Sequence, residues 1–469
     1  MKQVNKDKFV LVHDRESLIK DQPLESKEIG YYKDSWNRFK KNKASLVAFI
    51  IICFILFFVL FGPEFKRYDL FERDSTEAGR MGNLVPKVPG LEKLGIFDGT
   101  KTIIAGRRYL TYMYHSDFGQ GIILEGFPQE LIDNPNHPDY QNVASLTVKV
   151  DFYKYTNFRV SYMPEDYFRT IDDNIKNGTI RDPLGPVRRS LTQAQFDDYM
   201  QKNYIIDVLA IRQSVDTDTG QIYIAYEVRM NQFLLSIDQL PEDTYFWFGT
   251  MTNGKDLFTE LWKGARISII MAISVTLINS LVGLTIGSIV GYYGGLLDLL
   301  FDRLVEIISS IPFLSVLTLL VLRFGSQIWV IVIAFTATGW IGSYGTGRLQ
   351  FYRFKNREYV LAARTLGASD ARIMFKHIFP NTLGLIVTGY ALAIPAFVFS
   401  EASYSFLGII NYVEATSVGM LINQGQATMQ VHPHLLLFPA VYIAILMIAF
   451  NLFGNGLRDA FNPALRGVE

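Results

Sequence analysis

The stretch that decides the fold runs Arg357-Glu358-Tyr359-Val360-Leu361-Ala362-Ala363-Arg364-Thr365-Leu366-Gly367-Ala368-Ser369-Asp370 and closes on Ile378-Phe379-Pro380-Asn381. Because it lies between two long apolar segments, we expect it to form a loop at a membrane face. Four of its side chains recur at the spacing of one helix face, namely Tyr359, Ala362, Ala363 and Leu366. This spacing predicts a short amphipathic helix. Gly367 would end that helix, and Ser369 would cap a second one.

The same loop is strongly basic. Between residues 348 and 381 it carries seven basic and two acidic side chains, which are Arg348, Arg353, Lys355, Arg357, Arg364, Arg372 and Lys376 against Glu358 and Asp370. Cytoplasmic loops of membrane proteins carry an excess of Lys and Arg, so this loop is predicted to lie on the cytoplasmic side. Two short helices along that face would form a docking surface for a protein below the membrane.

Working outward, the apolar runs predict six membrane spans. The first covers residues 44–61, and five more follow at roughly 267–292, 304–322, 328–344, 382–399 and 435–453. Residues 1–43 are polar and basic, which predicts a cytoplasmic tail and makes the first span a retained signal anchor. An even number of spans places the C-terminus on the cytoplasmic side as well.

Two features of the second and third spans predict how they are arranged. Gly283, Gly287 and Gly291 recur every four residues, a spacing that lets helices pack closely in lipid. Asp298, Asp302 and Arg303 are expected to form the short inner turn between these spans.

Residues 64–250 form an insert of domain size between the first two spans, on the outer side of the membrane. Alternation at Leu146, Val148, Val150 and Phe152 predicts a half-buried strand, and so does alternation at Ile222, Ile224, Tyr226 and Val228. Residues 205–211 are expected to pair with the second strand as a hairpin. Thr192 and Gln195 predict a capping box ahead of a helix at 196–200. The insert is therefore predicted to be an α+β domain.

The loop resembles the cytoplasmic signature loop of permeases from ATP-binding-cassette (ABC) importers, in the form typical of the peptide-importer branch. The matching residues are Glu358-Tyr359, Ala362-Ala363-Arg364, Leu366-Gly367-Ala368 and Ile378-Phe379-Pro380-Asn381. The glutamate that gives the family motif its name falls on Leu361. The resemblance implies that a separate ATPase binds at Glu358, Tyr359, Ala362, Ala363, Arg364, Leu366, Gly367, Ala368 and Ser369.

Further stretches resemble the same family. They are Phe248-Gly249-Thr250 with Gly254-Lys255-Asp256 and Gly264-Ala265-Arg266-Ile267-Ser268, then residues 401–408 and 451–459. The resemblance extends over residues 248–467 and the first span, and it omits the insert. It implies a mainly α membrane protein with the six-helix ABC-importer permease fold and a large extracellular α+β insert. Residues 251–469 would form a five-helix permease core with a cytoplasmic coupling loop at 346–381.

Composition agrees with this class. The chain has 469 residues, of which 49% are apolar, and equal numbers of acidic and basic side chains, so a nucleic-acid-binding role is not expected. Its one cysteine, Cys53, excludes a disulfide framework and a Cys-based metal site.

Three local patterns suggest ligand sites but have simpler interpretations. Gly249 to Lys255 has P-loop spacing, yet Asp256 follows where Ser or Thr would hold Mg²⁺. ATP and Mg²⁺ are therefore expected on partner subunits, with no cofactor in this chain. Asp216 and Asp218 suggest a calcium loop, although a hairpin turn is favoured. His432 and His434 suggest a metal site, although helix capping or surface exposure is favoured.

Two carboxylates lie close to hydrocarbon, where charge is costly. Glu401, with Ser403 beside it, is a candidate for the substrate path, where it would meet a peptide amine. An interhelical hydrogen bond is the equal alternative for Glu401. For Glu306 the favoured interpretation is a local contact, because Arg303 lies within one turn.

The family resemblance implies a non-enzymatic permease subunit of a bacterial peptide importer, in the plasma membrane, working by alternating access. Its expected partners are a second, homologous permease in a heterodimer, two cytoplasmic ABC ATPases, an extracellular peptide-binding lipoprotein, the peptide and membrane lipid. Two alternatives stay open. One is a permease for nickel or another small solute, and the other is a membrane sensor with an extracellular ligand-binding domain.

Overall fold

The computed structural model describes residues 31–65, 68, 81–115, 119–128, 144–158, 187–215, 220–412 and 415–461. In chain order its helices are α1 (Tyr31–Lys41), α2 (Lys43–Phe61), α3 (Arg107–His115), α4 (Phe152–Phe158), α5 (Gln193–Gln201), α6 (Gln232–Ile237), α7 (Leu257–Tyr293), α8 (Gly295–Ser309), α9 (Phe313–Phe324), α10 (Ile328–Phe354), α11 (Glu358–Thr365), α12 (Asp370–Arg372), α13 (Phe379–Phe406), α14 (Val418–Ala427) and α15 (His434–Phe461). A π-helical segment, Ile373–Ile378, joins α12 to α13. The strands are β1 (Thr100–Gly106), β2 (Ile123–Glu125), β3 (Ser145–Asp151), β4 (Val187–Thr192), β5 (Ile205–Val215) and β6 (Ile222–Met230).

Five helical segments of the described chain are long and apolar enough to cross a membrane. They are Lys43–Phe65, Leu257–Tyr293, Ile328–Phe354, Ile386–Phe406 and His434–Phe461. The predicted span at 304–322 is wrong as a single helix, because α8 and α9 meet at a bend of 66°. Pro312 stands at the N-cap of α9, and a proline ring disfavours helical geometry in the residue before it.

The predicted inner turn at Asp298, Asp302 and Arg303 is also wrong, because all three residues lie inside α8. The turn falls instead at Gly294 and Gly295, whose φ angles are +69° and +62°. Two adjacent residues in this left-handed region strongly favour glycine, so the Gly-Gly pair takes the turn.

The helices α7 and α10 pack closely along the predicted glycine repeat. A Cβ atom on Gly287 would lie 2.2 Å from the carbonyl oxygen of Tyr344, and one on Gly283 would lie 2.3 Å from that of Trp340. Such distances are possible only without a side chain, so the predicted close approach is confirmed. The packing also places the C-terminal end of α7, which carries Tyr292, beside the C-terminal end of α10.

The insert contains two three-stranded antiparallel sheets, with strand orders β1-β3-β2 and β4-β6-β5. The predicted strand at 146–152 is confirmed as far as Asp151, after which Phe152 begins α4. The predicted pairing of residues 205–211 with β6 is confirmed. The capping box of Thr192 and Gln195 is confirmed at the start of α5. The suggested calcium ligands Asp216 and Asp218 lie outside the described residues.

The inward face predicted for β6 is partly wrong. Ile222 and Ile224 are exposed, whereas Ala225 and Val228 are buried. The covering helix α5 reaches only to Tyr226, on which Phe196 stacks with ring centroids 4.2 Å apart. Beyond that point the β5–β6 hairpin extends past its cover, which leaves its apolar side chains exposed.

The neck at residues 248–256 ties the insert to the bundle. Thr250 Oγ1 accepts from the Leu84 backbone N–H at 2.8 Å and donates to the Met81 carbonyl at 2.6 Å. Phe248 stacks on Phe438 of α15 with centroids 4.1 Å apart. The Asp256 carboxylate caps α7 by accepting from the Thr259 backbone N–H at 3.2 Å. The segment with P-loop spacing is thus a structural turn.

Candidate functional site

The signature loop begins with α11, whose C-terminus forms the predicted glycine-based cap. Gly367 has a φ of +81°. Its N–H donates to the Arg364 carbonyl at 3.0 Å, and the N–H of Ala368 donates to the Ala363 carbonyl at 3.0 Å. These two bonds are the Schellman pattern, which turns the chain sharply toward α12.

The second predicted helix is present but differs in form. Ser369 stands at the N-cap of α12, although its side chain makes no capping hydrogen bond. The helix then widens into the π-helical segment before α13 begins with Pro380 in its first turn. Proline is tolerated there because its missing N–H has no partner in a first helical turn.

The face that α11 buries differs from the predicted one. Val360 and Ala363 are buried, whereas Tyr359, Ala362 and Leu366 are exposed. Apolar and small residues occupy most positions around α11 itself. The spacing in the sequence is therefore compatible with burial of either of two faces. The packed face is set by α7, α10 and the π-helical segment, which supply the other buried members of the cluster: Tyr292, Phe351, Ile373, Met374 and Ile378.

Four large apolar side chains of the loop are exposed, and we call them the apolar crest: Tyr359, Leu361, Leu366 and Phe375. Leu366 is 88% exposed and Phe375 is 71% exposed. Burial of part of its ring raises the pKa of Tyr359. Several large exposed apolar side chains on one short loop, next to the exposed Glu358 and Arg364, are typical of a protein-binding site. Leu361, which replaces the motif glutamate, belongs to this crest.

A polar clamp fastens the loop to the C-terminal end of α7. The Tyr292 hydroxyl donates to Asp370 Oδ1 at 2.6 Å and accepts from Arg364 Nη2 at 3.1 Å. Its hydrogen bond with Tyr292 raises the pKa of Arg364. Lys355 Nζ donates to the Gly291 and Tyr292 carbonyls at 3.0 and 3.2 Å, which satisfies carbonyls at the C-terminus of α7. The clamp therefore links both short helices of the loop to one transmembrane helix.

Sequence reasoning missed Tyr292 and the roles of Lys355 and Asp370. The available signal was a tyrosine at the inner end of a predicted span, opposite a loop rich in arginine. A similar link joins α10 to α8, where Arg348 contacts Asp298 through two bonds of 2.5 and 3.0 Å.

Tyr292→Phe is expected to loosen the loop without unfolding the chain. The ring keeps its place among Phe351, Val360 and Met374, while Arg364 and Asp370 lose their shared hydroxyl. Hydrogen bonds to charged groups contribute about 1.5–3 kcal/mol each. We expect hydrogen–deuterium exchange in α11 and α12 to rise about tenfold or more. Tyr293→Phe, which changes the neighbouring exposed ring, is the control, and equal exchange in both variants would contradict the clamp.

Glu401 and Ser403 lie at the far end of α13 and have different surroundings. Glu401 is fully buried and accepts hydrogen bonds from Ser268 at 3.1 Å and from Ser405 at 3.0 Å. These contacts match the interhelical hydrogen bond named above as the alternative. Ser403 is half-buried, lines an apolar groove of about 610 Å³ and donates to the Phe399 carbonyl at 2.8 Å. A role for either residue in the substrate path stays a prediction.

His432 lies beside a cation, which disfavours metal binding. Its Nδ1 is 3.3 Å from Lys101 Nζ, and burial together with that charge lowers the pKa of His432 to about 4. Within the described ranges, His, Cys, Asp and Glu side chains form no group of three suited to a metal ion.

Comparison with known families gives matches on both sides of the insert. Residues 283–467 match the family described as "Binding-protein-dependent transport system inner membrane component". Residues 30–86 match the "N-terminal TM domain of oligopeptide transport permease C". Both sheets of the insert fall in residues 87–282, which lie outside these two matches.

Individual permeases are similar over about half of the chain. The dipeptide transport system permease protein DppC of Bacillus subtilis (strain 168) is 40% identical over 233 residues, which are 50% of this chain and 73% of that protein. The oligopeptide transport system permease protein OppC of the same strain is 40% identical, over 50% of this chain and 76% of that protein. OppC of Escherichia coli (strain K12) is 37% identical over 217 residues, 46% of this chain and 72% of that protein. The chain therefore belongs to the oligopeptide and dipeptide permease family of ABC importers.

Proposed function

We propose that this chain forms half of the translocation path of an ATP-driven peptide importer in a bacterial plasma membrane. A second, homologous permease would supply the other half, so that the two form a heterodimer. Six spans, with α8 and α9 as one broken span, would place both termini and the signature loop on the cytoplasmic side. Two ABC ATPases would bind below the membrane, and a peptide-binding lipoprotein would deliver substrate from outside.

The observation that carries this proposal is the apolar crest on a clamped loop. Leu366 and Phe375 expose apolar surface toward the proposed cytoplasmic side, which suits a groove on an ATPase. The same loop is fastened through Tyr292 to α7 and continues directly into α13. Movement of the ATPases on ATP binding would therefore be transmitted to two spans, as alternating access requires. Leu361 in place of glutamate makes the contact more apolar than in relatives that carry the motif.

The insert is proposed to receive the binding protein. Its neck lies at the start of α15, and the β5–β6 hairpin exposes a row of apolar side chains, namely Val208, Ile211, Val215, Ile222 and Ile224. Exposed branched side chains on a strand face favour contact with another protein.

Replacing Ile211 and Ile222 together with serine should weaken delivery of peptide. Both side chains are more than half exposed, so the fold keeps its core while the proposed contact loses apolar area. We expect the concentration of loaded binding protein that gives half-maximal uptake to rise about tenfold, which corresponds to about 1.4 kcal/mol. ATPase copurification should not change. Ile104→Ser, on the other sheet and 74% exposed, is the control. An unchanged half-maximal concentration would show that the hairpin is not part of the docking site.

Uptake in cells tests the proposed function. A strain lacking this chain should lose uptake of a radiolabelled tetrapeptide, and the plasmid-borne chain should restore it. Nickel uptake should be unaffected, which separates peptide import from the small-solute alternative. Intact peptide uptake without the chain, combined with loss of nickel uptake or of a signalling response, would contradict the proposal.

A further inference from the structure

One charged pair of the bundle lies on its outside rather than in its core. Arg303 Nη1 contacts Glu306 Oε2 at 2.5 Å, and the two side chains are 68% and 66% exposed. The pair matches the local contact expected from the sequence. Its exposure, however, leaves open what surrounds it.

The helix that carries the pair is barely covered by the rest of the chain. Within the described residues, α8 buries none of its side chains, and α9 buries Leu317 alone. The inner part of α8 is held to α10 through Asp298 and Arg348. The Arg303–Glu306 pair lies beyond this link, on the way toward the bend.

In the proposed topology α8 begins at the inner boundary of the hydrocarbon, and depth along the helix then places the pair well inside the bilayer. At 1.5 Å per residue, Arg303 is about 12 Å and Glu306 about 16 Å from Gly295 at the inner end. The hydrocarbon core is about 30 Å thick. An exposed ion pair at that depth cannot face lipid without a large cost, because charged side chains are strongly disfavoured near the bilayer centre.

The break between α8 and α9 lies next to the pair and is exposed as well. Ser309, Ser310 and Pro312 are all exposed, and the Ser309 hydroxyl donates to the Glu306 carbonyl at 3.0 Å. Non-helical backbone at membrane depth is tolerated where it is buried in protein or lines a water-filled cavity. A dry contact with another subunit would remove water from both charges, which costs several kcal/mol per ion. A water-filled path avoids that cost.

We propose that Arg303 and Glu306 line the translocation path and bind the charged ends of the transported peptide. As the peptide passes, Glu306 would accept hydrogen bonds from the terminal ammonium group or Arg303 would donate to the terminal carboxylate, for which its planar guanidinium is suited. The pair would bind one end at a time, because the two side chains contact each other and the ends of an extended tetrapeptide lie about 10 Å or more apart. The ligand class is thus a zwitterionic peptide. This inference rests on the proposed function as a peptide importer.

The test compares two tetrapeptides in proteoliposomes that hold the complete transporter and saturating binding protein. One is free tetra-alanine and the other is its N-acetylated, C-amidated form, and each rate is normalised to wild type. We expect Glu306→Gln and Arg303→Gln to slow import of the free peptide about tenfold and leave the capped peptide within about twofold, since hydrogen bonds to charged groups contribute about 1.5–3 kcal/mol. Ile307→Gln, an exposed neighbour on α8, should affect neither peptide.

Three outcomes would decide against the inference or its basis. Unchanged import of both peptides by the charge variants would overturn it. Equal slowing of both peptides, with loss of the second permease on purification, would overturn it in favour of a subunit contact. If the wild-type transporter imported neither peptide, the proposed function itself would be overturned.

Discussion

Gly287→Leu is expected to prevent formation of a stable permease. A Cβ atom at this position would lie 2.2 Å from the Tyr344 carbonyl oxygen and 2.9 Å from the Arg348 backbone nitrogen. Both are backbone atoms of α10, which cannot move aside as the end of a flexible side chain can. Overpacking typically costs 1–3 kcal/mol, and separation of two backbones that pack along most of their length should cost at least about that much. We expect the detergent-solubilised protein to elute mainly as aggregate in size-exclusion chromatography.

Gly345→Leu provides a matched control on the facing helix. Gly345 has no heavy atom within 4 Å of its Cβ direction, so the same side chain enters open space. This variant should elute as wild type does. If both variants elute alike, the glycine repeat is not required for the packing of α7 against α10.

Placing charge on the apolar crest should detach the ATPases. In Leu366→Glu with Phe375→Glu, two of the most exposed side chains of the loop become carboxylates. An isolated carboxylate buried in an apolar contact costs several kcal/mol, so binding should fall by at least about a hundredfold. We expect the purified permease to lose its ATPases and peptide uptake to cease. The fold should persist, because neither side chain contributes to the buried cluster around Tyr292.

The control is Leu94→Glu, the same change at a leucine of the insert that is 70% exposed. It adds one carboxylate, half the charge change of the crest variant, without touching the loop. Retention of ATPases by the crest variant would show that another surface holds them.

Local sequence signals predicted the loop well. A glycine after a helical stretch and a proline before an apolar span have few structural roles other than ending one helix and starting the next. Gly367 and Pro380 have these two roles in the structure. The periodicity of α11 was less informative, because three large apolar residues and three alanines or threonines leave two faces almost equally apolar. Val360 was buried rather than Tyr359 because α7 and α10 lie on that side, which depends on tertiary packing.

The misplaced features have two different physical causes. A span of average hydropathy was expected at 304–322, yet Pro312 broke it into α8 and α9. Likewise Ile222 and Ile224 alternate as a buried face should, but α5 is too short to cover them. Hydropathy alone does not reveal a local backbone break such as the one at Pro312, and alternation describes what β6 can bury, whereas the length of α5 decides what it does bury.

The clamp could not have been predicted from spacing. Tyr292 is more than 70 residues away in sequence from both Arg364 and Asp370, and it meets them only because the glycine repeat brings α7 against α10. Composition indicated a basic loop but gave no partner for it.

Native purification of the tagged chain, with mass spectrometry of the intact complex, most directly tests whether this chain is a permease whose clamped loop binds separate ATPases. The account predicts a complex of one copy of this chain, a second homologous permease and two ATPases, with ATP hydrolysis stimulated when peptide-loaded binding protein is added. Recovery of the chain alone, or with a kinase in place of ATPases under mild detergent, would contradict the account and favour a sensor.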